Sequence, residues 1–296
     1  MKLYSRRQLW VLSLIIISLI LIGSFYDYHI SVNLYDANNL FGIFLAGYGQ
    51  LPAMICLICG AALLVKDAYS YKDRKKGLFV LTVGFVFLVD LFVFVMLAFD
   101  TLKYIPALPV SLSVIIALII ILIFNILTWK IFKESDNQMI RKTAWFLLLT
   151  PVLTLLVINL IKTPWQRPRM RLISVHSEVD FQPWWTIGNS IKEQLNMQGI
   201  RAEEFKSFPS AHTASAACMM TLCVLPLIHD SFKKKRNVLF YGSLLFTLTV
   251  GLSRIVAGAH FLSDITFGMM IAFMIQGLLV KLIFKENGQD VKEENI

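Results

Sequence analysis

Apolar residues run in eight long blocks along the chain, near residues 9–25, 41–65, 77–99, 109–129, 143–161, 208–228, 237–256 and 263–284, with polar and charged residues gathered between them. Each block is about long enough to cross roughly 30 Å of hydrocarbon as a helix. Backbone polar groups do not stay unpaired in lipid, and the blocks lack the alternation a membrane barrel needs. The pattern therefore predicts an all-α fold, a polytopic transmembrane helical bundle of about eight spans. The first block follows a basic start, as in a signal sequence, but Ile22 to Tyr26 shows no small-residue cleavage pattern, so it reads as a retained anchor.

Composition agrees with the pattern. Of 296 residues 57% are hydrophobic and 16% charged, and the mean hydropathy of +0.67 sets the chain apart from ordinary soluble domains. The charge places the ends of the blocks. Nineteen of the 28 Lys and Arg residues fall on one side of the predicted topology, around Lys2, Lys66 to Lys76, Lys130 to Lys142, Lys233 to Arg236 and Lys281 to Lys292. By the positive-inside bias, both termini are expected in the cytoplasm of a multi-pass cell-membrane protein. The net charge of +9 then reports topology, and no nucleic acid is expected as a partner. All four cysteines lie in apolar blocks, which indicates no disulfide framework.

Three polar stretches on the opposite, extracytoplasmic side carry candidate chemistry. Ser253 to Asp264 places Arg254, His260 and Asp264 between two apolar blocks, where such groups are costly unless they face a cavity or a partner. With a helix from His260 onward, His260 and Asp264 share a face at i and i+4, and the carboxylate accepts the ring N–H. A snorkelling arginine and a His–Asp pair capping two membrane helices fit the same pattern, so this stretch alone decides nothing. Lys162 to Arg171 gathers four basic residues against the charge bias, which calls for something anionic, either a substrate or lipid headgroups. Pro164 and Pro168 are expected to exclude a regular helix there. Ser207 to Ala216 opens the sixth span with Pro209, Ser210, Ala211 and His212, a helix start whose free N–H groups favour an anion.

Elsewhere the residues say less. Tyr26 to Leu40 reads as an outer loop without assigned chemistry, and Asp90, inside the third span, calls for a partner such as Asn125 or Asn159. The connection 163–207 is long enough to be a lid or substrate lip, and its Asp180 to Trp185 segment suits contact with acyl or isoprenoid chains, or interfacial anchoring.

Taken together, the three stretches resemble the type 2 phosphatidic acid phosphatase family, related to bacterial acid phosphatases and vanadium haloperoxidases. Ser253, Arg254, His260 and Asp264 match its third motif in full. Pro209, Ser210 and His212 match the second, with Ala211 in place of Gly. Lys162 and Arg169 match the first, with Met170 in place of Pro, while Arg167-Pro168 looks similar but sits two residues too early.

The resemblance implies a six-helix phosphatase core over residues 77–286, which contains the outer loop 163–207, with two added N-terminal helices in 1–76; the polar composition of 287–296 predicts a disordered cytoplasmic tail. It implies a lipid phosphate phosphatase acting through a phosphohistidine on His260, with Asp264 orienting the ring and His212 as general acid and base. Lys162, Arg169, Arg254, the Ser210 hydroxyl and the Ala211 N–H would hold the phosphate oxygens. Neither a cofactor nor a metal is expected. The expected partners are a lipid phosphate substrate and membrane lipids: polyprenyl pyrophosphate, phosphatidic acid and phosphatidylglycerol phosphate are all candidates. A lipid phosphotransferase with the same intermediate and a non-enzymatic lipid-binding or transport protein are the alternatives. Oligomeric state is not legible.

Overall fold

A computed structural model describes residues 3–285. Among them the chain forms helices and no strand. Helix α1 covers Arg6–Leu34, and the second span is split into α2 (Leu40–Tyr48) and α3 (Leu51–Tyr69). Next come α4 (Lys76–Tyr104), α5 (Val110–Ile131) and α6 (Asn137–Trp165), and two short helices, α7 (Met170–Ile173) and α8 (Lys192–Met197), lie in the long connection. The sixth span joins α9 (Ala211–Ala217), a 3-10 stretch Cys218–Val224 and α10 (Leu225–Ile228); α11 (Arg236–Val256) and α12 (Leu262–Ile283) complete the bundle. Among the described residues, eight helical segments are long and apolar enough to cross a membrane, in agreement with the sequence pattern. The segment 287–296, expected to be a disordered tail, lies outside the described residues.

Local chemistry sets most helix ends. Ser5 accepts from the Gln8 N–H at 3.1 Å while the Gln8 side chain accepts from the Ser5 N–H at 2.9 Å, a capping box that starts α1. Asp136 caps α6 by accepting from the Met139 N–H at 3.1 Å. Three boundaries differ from expectation. Helix α1 runs on to Leu34, because no Gly or Pro interrupts Ser24 to Leu34, so the outer loop contracts to Tyr35–Asn39 and Asp27 is helical. The break before α3 falls where Pro52 removes the N–H that would bond the Tyr48 carbonyl. Pro164 lies inside α6, as Pro151 does at mid-helix, each leaving one ladder bond unmade; the helix stops at Trp165, and Gln166 takes a left-handed φ of 52°.

Burial divides the bundle. Helices α3, α6, α9, α11 and α12 form its centre, while α1, α4 and α5 turn large apolar side chains such as Phe25, Phe87 and Leu122 outward. In hydrocarbon the burial of one apolar side chain against another gains little, so close packing and internal polar ties hold such helices together. Several ties are present. Arg141 grips Asp67 with two bonds of 3.0 and 3.1 Å between α6 and α3. Gln276 of α12 accepts from the Tyr4 hydroxyl at 3.1 Å and donates to the Ala217 carbonyl at 3.0 Å. Asn125 of α5, one of the two partners the position of Asp90 called for, donates its amide to the Ile121 carbonyl at 3.0 Å, and the buried Oδ1 of Asp90 has no hydrogen-bond partner among the described residues.

Candidate active site

The ends of α1, α4, α6 and α11 and the starts of α2, α9 and α12 converge on one cavity of about 650 Å³. Its walls include Lys162, Arg169, Ala211, His212, Arg254 and His260, so residues from all three polar stretches meet there. Tyr35, Asp36, Gly42, Ala46 and Gln50, from the α1–α2 loop and the second span, close one side, and Lys103 and Tyr104 close another.

His260 precedes α12 and is not part of it. Its Nδ1 lies 2.6 Å from the Ser207 carbonyl oxygen and 3.8 Å from Oδ2 of Asp264. A carbonyl only accepts, so Nδ1 carries the proton, and in the neutral ring Nε2 holds the free lone pair. The ring N–H therefore goes to Ser207, and the carboxylate stands just behind it. Burial brings the His260 pKa down to about 3; the Asp264 carboxylate opposes this, while Lys162 and Arg169 add to it. The ring is accordingly neutral at physiological pH.

Asp264 is itself tightly held. Its Oδ2 accepts from the Ser207 hydroxyl at 2.5 Å and from the Phe261 N–H at 2.8 Å, and its Oδ1 accepts from Arg167 at 2.5 Å. Arg167 does not line the cavity. It is fully buried, donates to the Gln182 carbonyl and the Ser263 hydroxyl, and forms a second ion pair with Asp27 at 2.9 Å. The Arg167-Pro168 pair that stood two residues out of register thus supports the site from behind, and Phe261 covers the guanidinium at 4.3 Å.

His212 occupies the first turn of α9, its Nε2 lying 3.2 Å from the Ala46 carbonyl oxygen and 3.3 Å from the Gln50 amide nitrogen. The break between α2 and α3 therefore fixes this ring. Ser210 caps α9: its hydroxyl accepts from the Thr213 N–H at 3.3 Å and shares a 3.0 Å hydrogen bond with the Thr213 hydroxyl. It is fully buried and outside the cavity wall, so of the expected pair only Ala211 reaches the cavity. Helix α12 presses on this turn at Gly268, where a Cβ would stand 2.3 Å from the Ser210 carbonyl oxygen.

Three cations face the cavity, Lys162 and Arg254 buried and Arg169 half-buried. Lys162 donates to the Lys206 carbonyl at 2.6 Å, Arg254 donates to the Gly42 carbonyl, and the buried Nε of Arg169 has no acceptor among the described residues. Nearer the mouth Arg171 is forked onto Glu204 through two 2.7 Å bonds, and Lys206 pairs with Glu203 at 2.5 Å. Seven Lys or Arg side chains line the cavity against two carboxylates, so an anion fits it.

Comparison with known proteins bears on the same segments. Residues 143–288, which hold all three polar stretches, match the family model described as PAP2 superfamily. The chain carries a PAP2 superfamily domain. Phosphatidylglycerophosphatase B of Bacillus subtilis (strain 168) is 29% identical over 82 residues, which cover 26% of this chain and 40% of that protein. The chain thus aligns with less than half of that relative's length. No solved structure gives a match.

Outside the PAP2 domain, the structure adds residues that the sequence pattern passed over. Asp27 lay in what read as a loop; a carboxylate one helical turn after Gly23 in an otherwise apolar helix was its only signal. Gln50 and Tyr104 carried none. Within the domain, the connection 163–207 has its own small core of Leu172, Val179, Leu195 and Phe205. The aromatic rings expected to suit lipid chains mostly pack inward. Trp184 lies against Phe267 at 4.6 Å and Phe181 against Phe261 at 5.2 Å, while Trp185 is exposed.

Proposed function

We propose that the protein is a membrane-embedded phosphatase of lipid phosphates that works through a phosphohistidine. The observation that carries this reading is the convergence of His260, His212, Lys162, Arg169 and Arg254 on one cationic cavity at the end of a membrane bundle. His260 attacks phosphorus through the lone pair of Nε2, the P–O bond to the lipid breaks, and His212 protonates the departing oxygen. His212 then takes a proton from water, the oxygen attacks phosphorus, and the P–N bond breaks to release phosphate. Lys162, Arg169 and Arg254, with the Ala211 N–H, bind the non-bridging oxygens and stabilise charge in the transition state.

The cavity at the mouth of a span-rich bundle suits an amphiphile arriving by lateral diffusion, with a phosphomonoester or pyrophosphate as head. Phosphatidic acid, phosphatidylglycerol phosphate and polyprenyl pyrophosphate are the substrates to compare. The charge asymmetry of the loops supports an extracytoplasmic site with both termini in the cytoplasm. The domain plan of a core over 77–286 preceded by 1–76 belongs to the same reading, with the addition that residues of the first two spans close the cavity.

The test is phosphate release by purified protein in detergent from these three lipids, with a chelator present and His260→Ala alongside. Release by wild type but not by the variant, with unchanged thermal unfolding, is the expected result. Turnover by His260→Ala would sink the assignment, and loss of activity with the chelator would sink metal independence. Product that forms only with an added hydroxyl acceptor would instead favour the phosphotransferase.

A further inference from the structure

Asp27 belongs to α1, far outside the segment 143–288, yet it is buried directly behind the site. It accepts from the Ser263 N–H at 2.9 Å, from the Ser263 hydroxyl, and from Arg167 at 2.9 Å. Three donors and no acceptor among these neighbours suit an ionised carboxylate. Gly23, one turn earlier, lets α1 come this close, since a Cβ there would stand 3.0 Å from the Ser263 nitrogen. One buried guanidinium is therefore shared by two buried carboxylates, Asp27 and Asp264, and the group carries an excess negative charge.

We propose that Asp27 is a positioning residue for phosphoryl transfer, a role that rests on the phosphatase reading above. Arg167 divided between two carboxylates leaves Asp264 with negative charge to spare, and that charge stands 3.8 Å from the ring nitrogen of His260. When Nε2 bonds to phosphorus, the ring becomes positive, and the spare charge stabilises it. Without the Asp27 charge, Arg167 neutralises Asp264 fully, and the ring loses this compensation in the transition state while substrate binding in the cavity is untouched. The N-terminal helix is then part of the catalytic apparatus, through one carboxylate.

The test is Asp27→Asn in the full-length protein, assayed on whichever of the three lipid phosphates the wild type turns over fastest. Asparagine keeps an acceptor for the Ser263 N–H and leaves Arg167 paired one to one with Asp264. The expected result is a kcat lowered at least about tenfold with KM within about twofold of wild type. A purely structural role predicts wild-type kcat whenever the protein is folded. The double variant Asp27→Asn/Arg167→Gln removes both charges together, so Asp264 keeps its negative charge with no guanidinium to neutralise it, and kcat is expected to stay near the wild-type value. Wild-type kcat in folded Asp27→Asn, a loss lying wholly in KM, or a kcat in the folded double variant lowered about tenfold or more would overturn the positioning role alone. An inactive wild type, or an active His260→Ala, would overturn the phosphatase reading and this role with it.

Discussion

The Nδ1–H of His260 points at the Ser207 carbonyl oxygen, 2.6 Å away, and this bond fixes which ring nitrogen is free to react. Ser207 also donates its hydroxyl to Asp264, so one residue holds both members of the His–Asp pair. A neutral ring with Nε2 unprotonated is the form a nucleophile needs.

A pH prediction follows from the depressed His260 pKa of about 3. The unfolded chain takes up a proton on this histidine near pH 6.5, whereas the folded chain does not until about pH 3. Between those values the unfolded state binds more protons, so stability falls as pH falls through this window and is fully present above it. The thermal unfolding midpoint in detergent is expected to drop between pH 7 and 5, and to drop less steeply in His260→Asn. Equal slopes for the two proteins would contradict a ring held neutral.

Arg167→Gln is expected to destabilise the protein far more than Asp27→Asn. Removing the guanidinium leaves two buried carboxylates uncompensated, which costs about 3–5 kcal/mol. Removing the Asp27 charge leaves a balanced pair. Unfolding midpoints of the two variants, measured side by side, check this order; a milder Arg167→Gln would mean that the carboxylates find protons or water more cheaply than their burial suggests.

The spans, their number and the three polar stretches were legible because a bilayer imposes a long, simple pattern and because ionisable residues at its edge are few. The supports were not legible, for two physical reasons. Asp27 and Gln50 act across more than a hundred residues of sequence, on Ser263 and His212, and nothing local marks such contacts. Arg167 and Ser210 carried the right chemistry at the right end of the bundle, but a motif does not say which side of the backbone faces the cavity. Two residues of register put Arg169 in the cavity wall and Arg167 behind Asp264. The His260–Asp264 pair fell short in another way: helical spacing placed the two side chains together, while the extended backbone at Phe261 directs the ring N–H to Ser207.

Arg169 is the cation with the most to offer an incoming phosphate, because its buried Nε has no acceptor among the described residues. Vanadate, a mimic of five-coordinate phosphorus, is expected to inhibit competitively. Arg169→Gln is expected to lower kcat/KM by about 10²–10³-fold and to weaken vanadate inhibition in parallel. Inhibition constants for wild type and variant decide it: an unchanged constant would place the anion elsewhere in the cavity.

Gly268 supplies the last prediction, one about packing, with consequences for His212. Helix α12 crosses the start of α9 so closely that a Cβ at Gly268 would stand 2.3 Å from the Ser210 carbonyl oxygen, and that atom is backbone, which does not swing aside as a side chain does. The same turn is tied to α12 by the Ser210 N–H, which donates to the Asp264 carbonyl at 2.9 Å. Gly268→Ala must therefore push α9 away from α12 or strain both, at a cost of about 1–3 kcal/mol. His212 lies two residues after Ser210, so the displacement moves the general acid relative to His260, and kcat is expected to fall together with the unfolding midpoint. Phosphate release and thermal unfolding of the purified variant measure both. A variant that keeps wild-type values of each would show that the crossing has more room than the contact allows.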